Sequence, residues 1–83
     1  MLKMEYQSFE FVSVFIEDEQ QYWHWARFYF SDERGEEWIA TSPTYAEGSF
    51  DLQCLREDAI RVSRALSQGA NWEQVCLTFR QAG

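Results

Sequence analysis

The chain carries one histidine, His24, set between Trp23 and Trp25. An imidazole is the side chain best suited to moving a proton near neutral pH or to holding a metal ion. Either task needs a positioned partner, and no second His, Cys or carboxylate sits at a recognised spacing from it. His24 is therefore expected as a strand histidine in an aromatic setting. Cys54 and Cys76 are the only cysteines. Without a secretory leader ahead of them they are expected to stay reduced, as small buried side chains. No nucleophile elbow, zinc-protease helix, phosphate-binding glycine loop or paired C-x-x-C occurs, and Asp32 to Gly35 matches D-x-x-G only as a hairpin turn does. The residues read as those of a non-enzymatic protein with no catalytic residue, no metal and no cofactor.

The carboxylates say more. Glu17, Asp18 and Glu19 cluster at one break in the hydrophobic pattern, and Asp32, Glu33, Glu36 and Glu37 surround another. Solvation of two turn tips is the plainest account of such clusters, and Glu17 to Glu19 lack the ligand alternation and the glycine of a calcium loop. Over the whole chain 14 acids oppose 7 Lys plus Arg, a net charge of −7. Residues 1–50 hold ten acids and three bases, whereas residues 51–83 hold four of each, so the excess lies on the first half. Such a field repels phosphate backbones and anionic lipid, and it attracts basic surfaces at rates that fall with salt. Direct contact with nucleic acid or a membrane is disfavoured, and a basic protein surface is the expected partner.

The elements that must position these groups follow from periodicity. Glu5 to Glu17 alternates Phe9, Phe11 and Phe15 with Val12, Val14 and Ile16, which predicts a strand covered on both faces in its second half. Gln21 to Phe30 alternates Tyr22, His24, Ala26, Phe28 and Phe30 with Trp23, Trp25, Arg27 and Tyr29, a second strand hairpinned onto the first. Ser31 to Gly35 supplies a turn, and Glu36 to Thr41 a third strand that completes a meander. Ser42 to Ser49 is expected as a loop. Leu52, Leu55, Ala59, Val62 and Leu66 then form one stripe of an amphipathic helix, capped by Ser49 or Asp51 and ended by Gly69. Asn71 and Gln74 resemble a capping box for a short second helix with Trp72, Val75, Cys76 and Phe79 on one face. The fold class is thus α+β, a three-stranded antiparallel β-meander followed by one long amphipathic helix and a short C-terminal helix, in a single domain over residues 1–83. At 83 residues, 46% hydrophobic and 18% aromatic, the chain has enough apolar surface for one core. No apolar run approaches the roughly 20 residues of a membrane span, so the expected compartment is the cytoplasm.

Trp25 to Tyr45 also carries a family pattern: an aromatic-rich strand, an acidic turn closing on Gly35-Glu36, then Ile39-Ala40-Thr41-Ser42 and Tyr45. With Ile60 and Val62 in the following helix, the stretch over residues 25–62 resembles the YegP-like small bacterial ββα domain. The resemblance implies a ββα core and self-pairing through sheet edges, and it brings no catalytic residue with it.

Three functions remain open. The first is an acidic binding protein that docks on a basic protein surface through Glu17, Asp18, Glu19, Asp32, Glu33, Glu36, Glu37, Trp23 and Trp25. In its most concrete form this is a phage-type inhibitor of a nucleic-acid-binding complex, a nucleic-acid mimic like the anti-CRISPR proteins. The two acidic turns lie about 30 Å apart at opposite ends of the middle strand, so one partner reaches both only through a long basic groove. The second is a self-associating module of YegP-like type, a homodimer. The third is a small-molecule domain in which a nucleotide stacks on Trp23, His24 and Trp25. Trp23, Trp25, Tyr29 and Trp38 either face away from the helix or lie under the second helix with Trp72 and Phe79.

Overall fold

Residues 3–79 are described by a computed structural model. Four strands, β1 (Glu5–Ile16), β2 (Gln21–Ser31), β3 (Glu37–Thr41) and β4 (Tyr45–Ala46), precede a long helix α1 (Leu52–Ser67) and a short one, α2 (Trp72–Val75). Single turns of 3-10 helix cover Glu17–Glu19 and Cys76–Thr78. The sheet is antiparallel, with β1 and β3 on either side of β2. The α+β class, the meander and both helices therefore stand as the sequence predicts.

β4 is an addition. Residues 42–49 form more than a loop, because Tyr45 pairs with His24 and Ala46 with Trp23 on the edge of β2 that β3 has left. Between the two short strands Ser42 completes the ladder: its N–H donates to the Ala26 carbonyl at 2.9 Å and its Oγ accepts the Ala26 N–H at 2.9 Å. A side chain here stands in for a backbone acceptor, which keeps both polar groups of buried Ala26 satisfied beside Pro43.

The period-2 pattern of β2 decides where the core sits. Ala26, Phe28 and Phe30 point to the helical side and join Tyr45, Leu55, Ala59, Val62, Leu66, Val75 and Phe79 in one buried cluster. Phe28, 0% exposed, is its hub. Its ring lies 5.5 Å from that of Phe9, 5.1 Å from Trp72 and 6.1 Å from Phe79, centroid to centroid. The α1 stripe packs as its spacing requires, with Leu55, Ala59, Val62 and Leu66 buried. Ser49 caps the helix start, its Oγ accepting the Leu52 N–H at 3.1 Å, while Asp51 makes no side-chain cap bond. The end is a Schellman motif: Gly69 adopts φ 99°, the Gly69 N–H reaches the Leu66 carbonyl, and the Ala70 N–H reaches the Ala65 carbonyl. The expected capping box at Asn71 does not form, and the Asn71 carbonyl alone accepts the N–H groups of Gln74 and Val75. Arg61 braces α1 to the C-terminal turn through Thr78 Oγ1 at 2.6 Å and the Thr78 carbonyl at 3.0 Å.

The expectation that the second half of β1 is covered on both faces is overturned. Phe11 and Phe15 are 47% and 46% exposed on the helical side, and Val14 is exposed on the other. Length explains it. Twelve strand residues span about 40 Å, whereas sixteen helical residues span about 24 Å, so α1 and α2 cover the half of the hairpin nearest Phe28 and Phe30 and leave the far half bare.

Candidate functional site

The far half of the β1–β2 hairpin gathers several of the residues singled out by the sequence. Trp23 and Trp25 project from the face opposite α1, as does Tyr29, and they face Val14, Val12 and Ser8 of β1 across the ladder. Trp38 departs from this expectation. It pairs with Phe30 and so lies on the helical side. The second helix does not cover Trp23 and Trp25 either, since Trp72 and Phe79 pack on Phe28 from the α1 side. The outer face thus divides along its length. Near the open end Val12, Val14, Ile16, Trp23 and Trp25 make an apolar patch. Farther along, Glu10 accepts from the Tyr29 hydroxyl at 2.5 Å and lies 3.6 Å from the Arg27 guanidinium, a polar trio on the same surface.

Glu17, Asp18 and Glu19 cap the open end. They form the 3-10 turn that joins β1 to β2, all three exposed, closed by Gln20 at φ 52° with its N–H on the Glu17 carbonyl at 3.2 Å. The Trp23 indole N–H donates to the Glu19 carboxylate, which fixes an acid at the rim of the apolar patch.

Asp32, Glu33, Glu36 and Glu37 stand at the other end of β2 and do not meet this site. Within that group Asp32 differs from its neighbours. It is buried, and its Oδ1 accepts the N–H groups of Arg34 and Glu36 at 2.8 and 3.0 Å. The Trp38 indole N–H on Oδ2, with help from those backbone donors, holds its carboxyl below the usual range. Asp32 builds the turn, whereas Glu33, Glu36 and Glu37 remain exposed around it.

His24 does have partners, contrary to the expectation from spacing. Ser13 Oγ and His24 Nδ1 share a 2.7 Å hydrogen bond, and His24 Nε2 bonds the Glu47 carboxylate. Strand pairing places them, because Ser13 lies opposite His24 on one side and Tyr45 opposite it on the other, with Glu47 two residues on. The chain borders a cleft of about 190 Å³ lined by Phe11, Ser13, His24, Leu52, Leu55 and Arg56 among others. A hydroxyl, imidazole and carboxylate in series is the order a nucleophilic site uses, but such a site also needs free donors for an oxyanion. The nearby helix start offers none from its first residues: the Leu52 N–H is held by Ser49, that of Gln53 by the Phe50 carbonyl and that of Cys54 by the Asp51 carbonyl. The series instead ties the segment after β4 to the hairpin. It also separates His24 from the indoles, which strand alternation sends to the opposite face, so the three side chains form no common stacking platform.

Among the described residues no group of three or more His, Cys, Asp or Glu is placed to hold a metal ion, and no helix is long and apolar enough to cross a membrane. Cys54 and Cys76 are half-buried free thiols. The residues that sequence reasoning missed are Ser13, Ser42 and Glu47, all placed by pairing between distant segments, and the uncovered Phe11, Phe15 and Tyr22. No family model matches the chain, and neither a curated protein nor a solved structure matches it.

Proposed function

We propose that this chain is a non-enzymatic acidic binding protein that docks the open end of its β1–β2 hairpin on a basic protein surface. The observation that carries the reading is the juxtaposition of Val12, Val14, Trp23 and Trp25, an apolar patch without helical cover, with the exposed carboxylates of Glu17, Asp18 and Glu19 at its rim. Indoles flanked by charge are the composition of an interface centre and its border. A net charge of −7 steers the approach toward Lys and Arg. Surfaces of that kind line the grooves in which protein complexes hold nucleic acid, so the concrete form proposed is a phage-type inhibitor that occupies such a groove in place of the nucleic acid, as anti-CRISPR proteins do.

Affinity capture from a bacterial lysate supplies the partner for the test. Association is then measured against salt for the natural chain and for a variant with Glu17→Gln, Asp18→Asn and Glu19→Gln. The expected result is an association rate lower by roughly tenfold at low salt with a flattened salt dependence, and Trp25→Ala is expected to raise the dissociation rate. A tip variant that associates as fast as the natural chain at every salt concentration overturns the reading.

A further inference from the structure

The sheet has two edges, and they are finished differently. On one, β3 is five residues long, Ser42 and Pro43 interrupt it, and β4 adds two residues. On the other, β1 runs for 12 residues and, among the described residues, pairs only with β2, so its outer N–H and C=O groups face away from every described strand. Proteins blunt such an edge with Lys, Pro, a bulge or a covering element. Here the single irregularity lies between Tyr6 and Ser8, at the far end from the open tip. From Phe9 to Ile16 the register is unbroken, Glu10 is the sole charged residue, and no Lys or Pro occurs.

We infer that this edge is a self-pairing surface, and that two copies join through antiparallel β1 strands centred on Ser13. Self-complementarity selects a second copy over an unrelated strand. A two-fold axis through Ser13 sets Phe11 opposite Phe15 of the second copy, Val12 opposite Val14 and Glu10 opposite Ile16, so two aromatic pairs and two β-branched pairs form and no acid meets an acid. Moving the centre to Val14 puts Glu10 against Asp18, and moving it to Val12 keeps two aromatic pairs, Phe9 with Phe15, but sets Phe11 against Ser13 and breaks both Val12–Val14 pairs. Each register is thus worse than the one about Ser13. α1 begins beside the middle of β1, where Leu52, Leu55 and Arg56 line a cleft with Phe11 and Ser13, and antiparallel pairing carries the rest of the two helical covers to opposite ends. Phe11 and Phe15, 47% and 46% exposed in one copy, then lie opposite each other across the join. β1 falls outside the stretch over residues 25–62, so nothing in this inference leans on the family resemblance.

Two chains of −7 repel at long range, and that repulsion is screened by salt while the apolar join is not. Self-pairing therefore strengthens with salt, the reverse of docking on a basic surface, and the failure of either reading leaves the other standing.

Sedimentation of the full chain at micromolar concentration, at low and high salt, provides the first measurement. The expected mass is twice that of one chain, with a larger paired fraction at high salt. A Ser13→Cys variant, placed on the two-fold axis, is expected to form an interchain disulfide under mild oxidation, mapped by peptide mass spectrometry, whereas Ser8→Cys on the same strand is not. Phe15→Lys, at an exposed position, is expected to return the single-chain mass with an unchanged circular dichroism spectrum. A single-chain mass at both salts overturns the inference, as does a dimer in which Ser13→Cys does not crosslink or Phe15→Lys has no effect.

Discussion

The indole N–H of Trp38 donates a 3.0 Å hydrogen bond to Oδ2 of Asp32, across the turn that joins β2 to β3. With Oδ1 holding the N–H groups of Arg34 and Glu36, a single carboxylate organises the turn and the first residues of β3. Asp32→Ala removes both acceptor oxygens and with them all three hydrogen bonds, whereas Asp32→Asn keeps one oxygen for the backbone and loses the indole. The expected order of melting temperature is natural chain, then Asn, then Ala.

The same carboxylate makes stability depend on pH. Its folded-state pKa lies below the ordinary value, so ionised Asp32 stabilises the fold fully above the unfolded carboxylate range, about 4. That contribution is lost as pH falls through the lower folded value. Urea unfolding of the natural chain and of Asp32→Asn is expected to show a constant gap near neutrality that closes below about pH 4.

Phe28 is the packing centre, and Phe28→Ala empties a site walled by Phe9, Trp72 and Phe79. The expected loss is about 3–5 kcal/mol. That is a large part of what a domain of this size has. Urea denaturation followed by tryptophan fluorescence checks it, and a loss below about 1 kcal/mol would mean that the rings reclose over the gap.

Ser42→Ala deletes the acceptor of the buried Ala26 N–H without removing any apolar contact of comparable size. An orphaned buried donor costs about 1–3 kcal/mol. Hydrogen exchange at the Ala26 amide is expected to quicken as the junction between β3 and β4 loosens, with Ser42→Thr restoring protection.

Gly69→Ala forces a β-carbon into φ 99° at the end of α1 although no neighbouring atom lies in its way. The expected cost is about 1–2 kcal/mol and comes from the backbone alone. Equilibrium unfolding of the Ala variant measures it.

How much of this structure is legible in the sequence depends on the range of the interaction. The stripe from Leu55 to Leu66 and the alternation of β2 are local patterns, and both faces came out as spaced. The pairing of Tyr45 with His24, the Ser42 bridge and the bond from Glu47 to His24 join residues 16 to 23 positions apart, where local periodicity is silent. The bare half of the hairpin was within reach, since strand and helix lengths both follow from the sequence and differ by about 16 Å on standard rises. The apolar residues from Phe11 to Ile16 favour burial, and the length of the cover decides against it. Composition groups Asp32 with the other turn acids, because it cannot distinguish a carboxylate that folds inward from one that is solvated.

The order of elements along the chain gives the acidic turns a second consequence. The β1–β2 hairpin is complete by Ser31, whereas the residues that cover Phe28 and Phe30 come from Leu55 to Phe79. During synthesis a hairpin closes within about 10 μs, yet the ribosome needs a few seconds to deliver the remaining chain. Through that interval the aromatic side of the nascent hairpin has no lid. Five carboxylates, Glu5, Glu10, Glu17, Asp18 and Glu19, are already in place when the hairpin closes and five more follow by Glu47, so neighbouring nascent chains repel one another while those rings are uncovered.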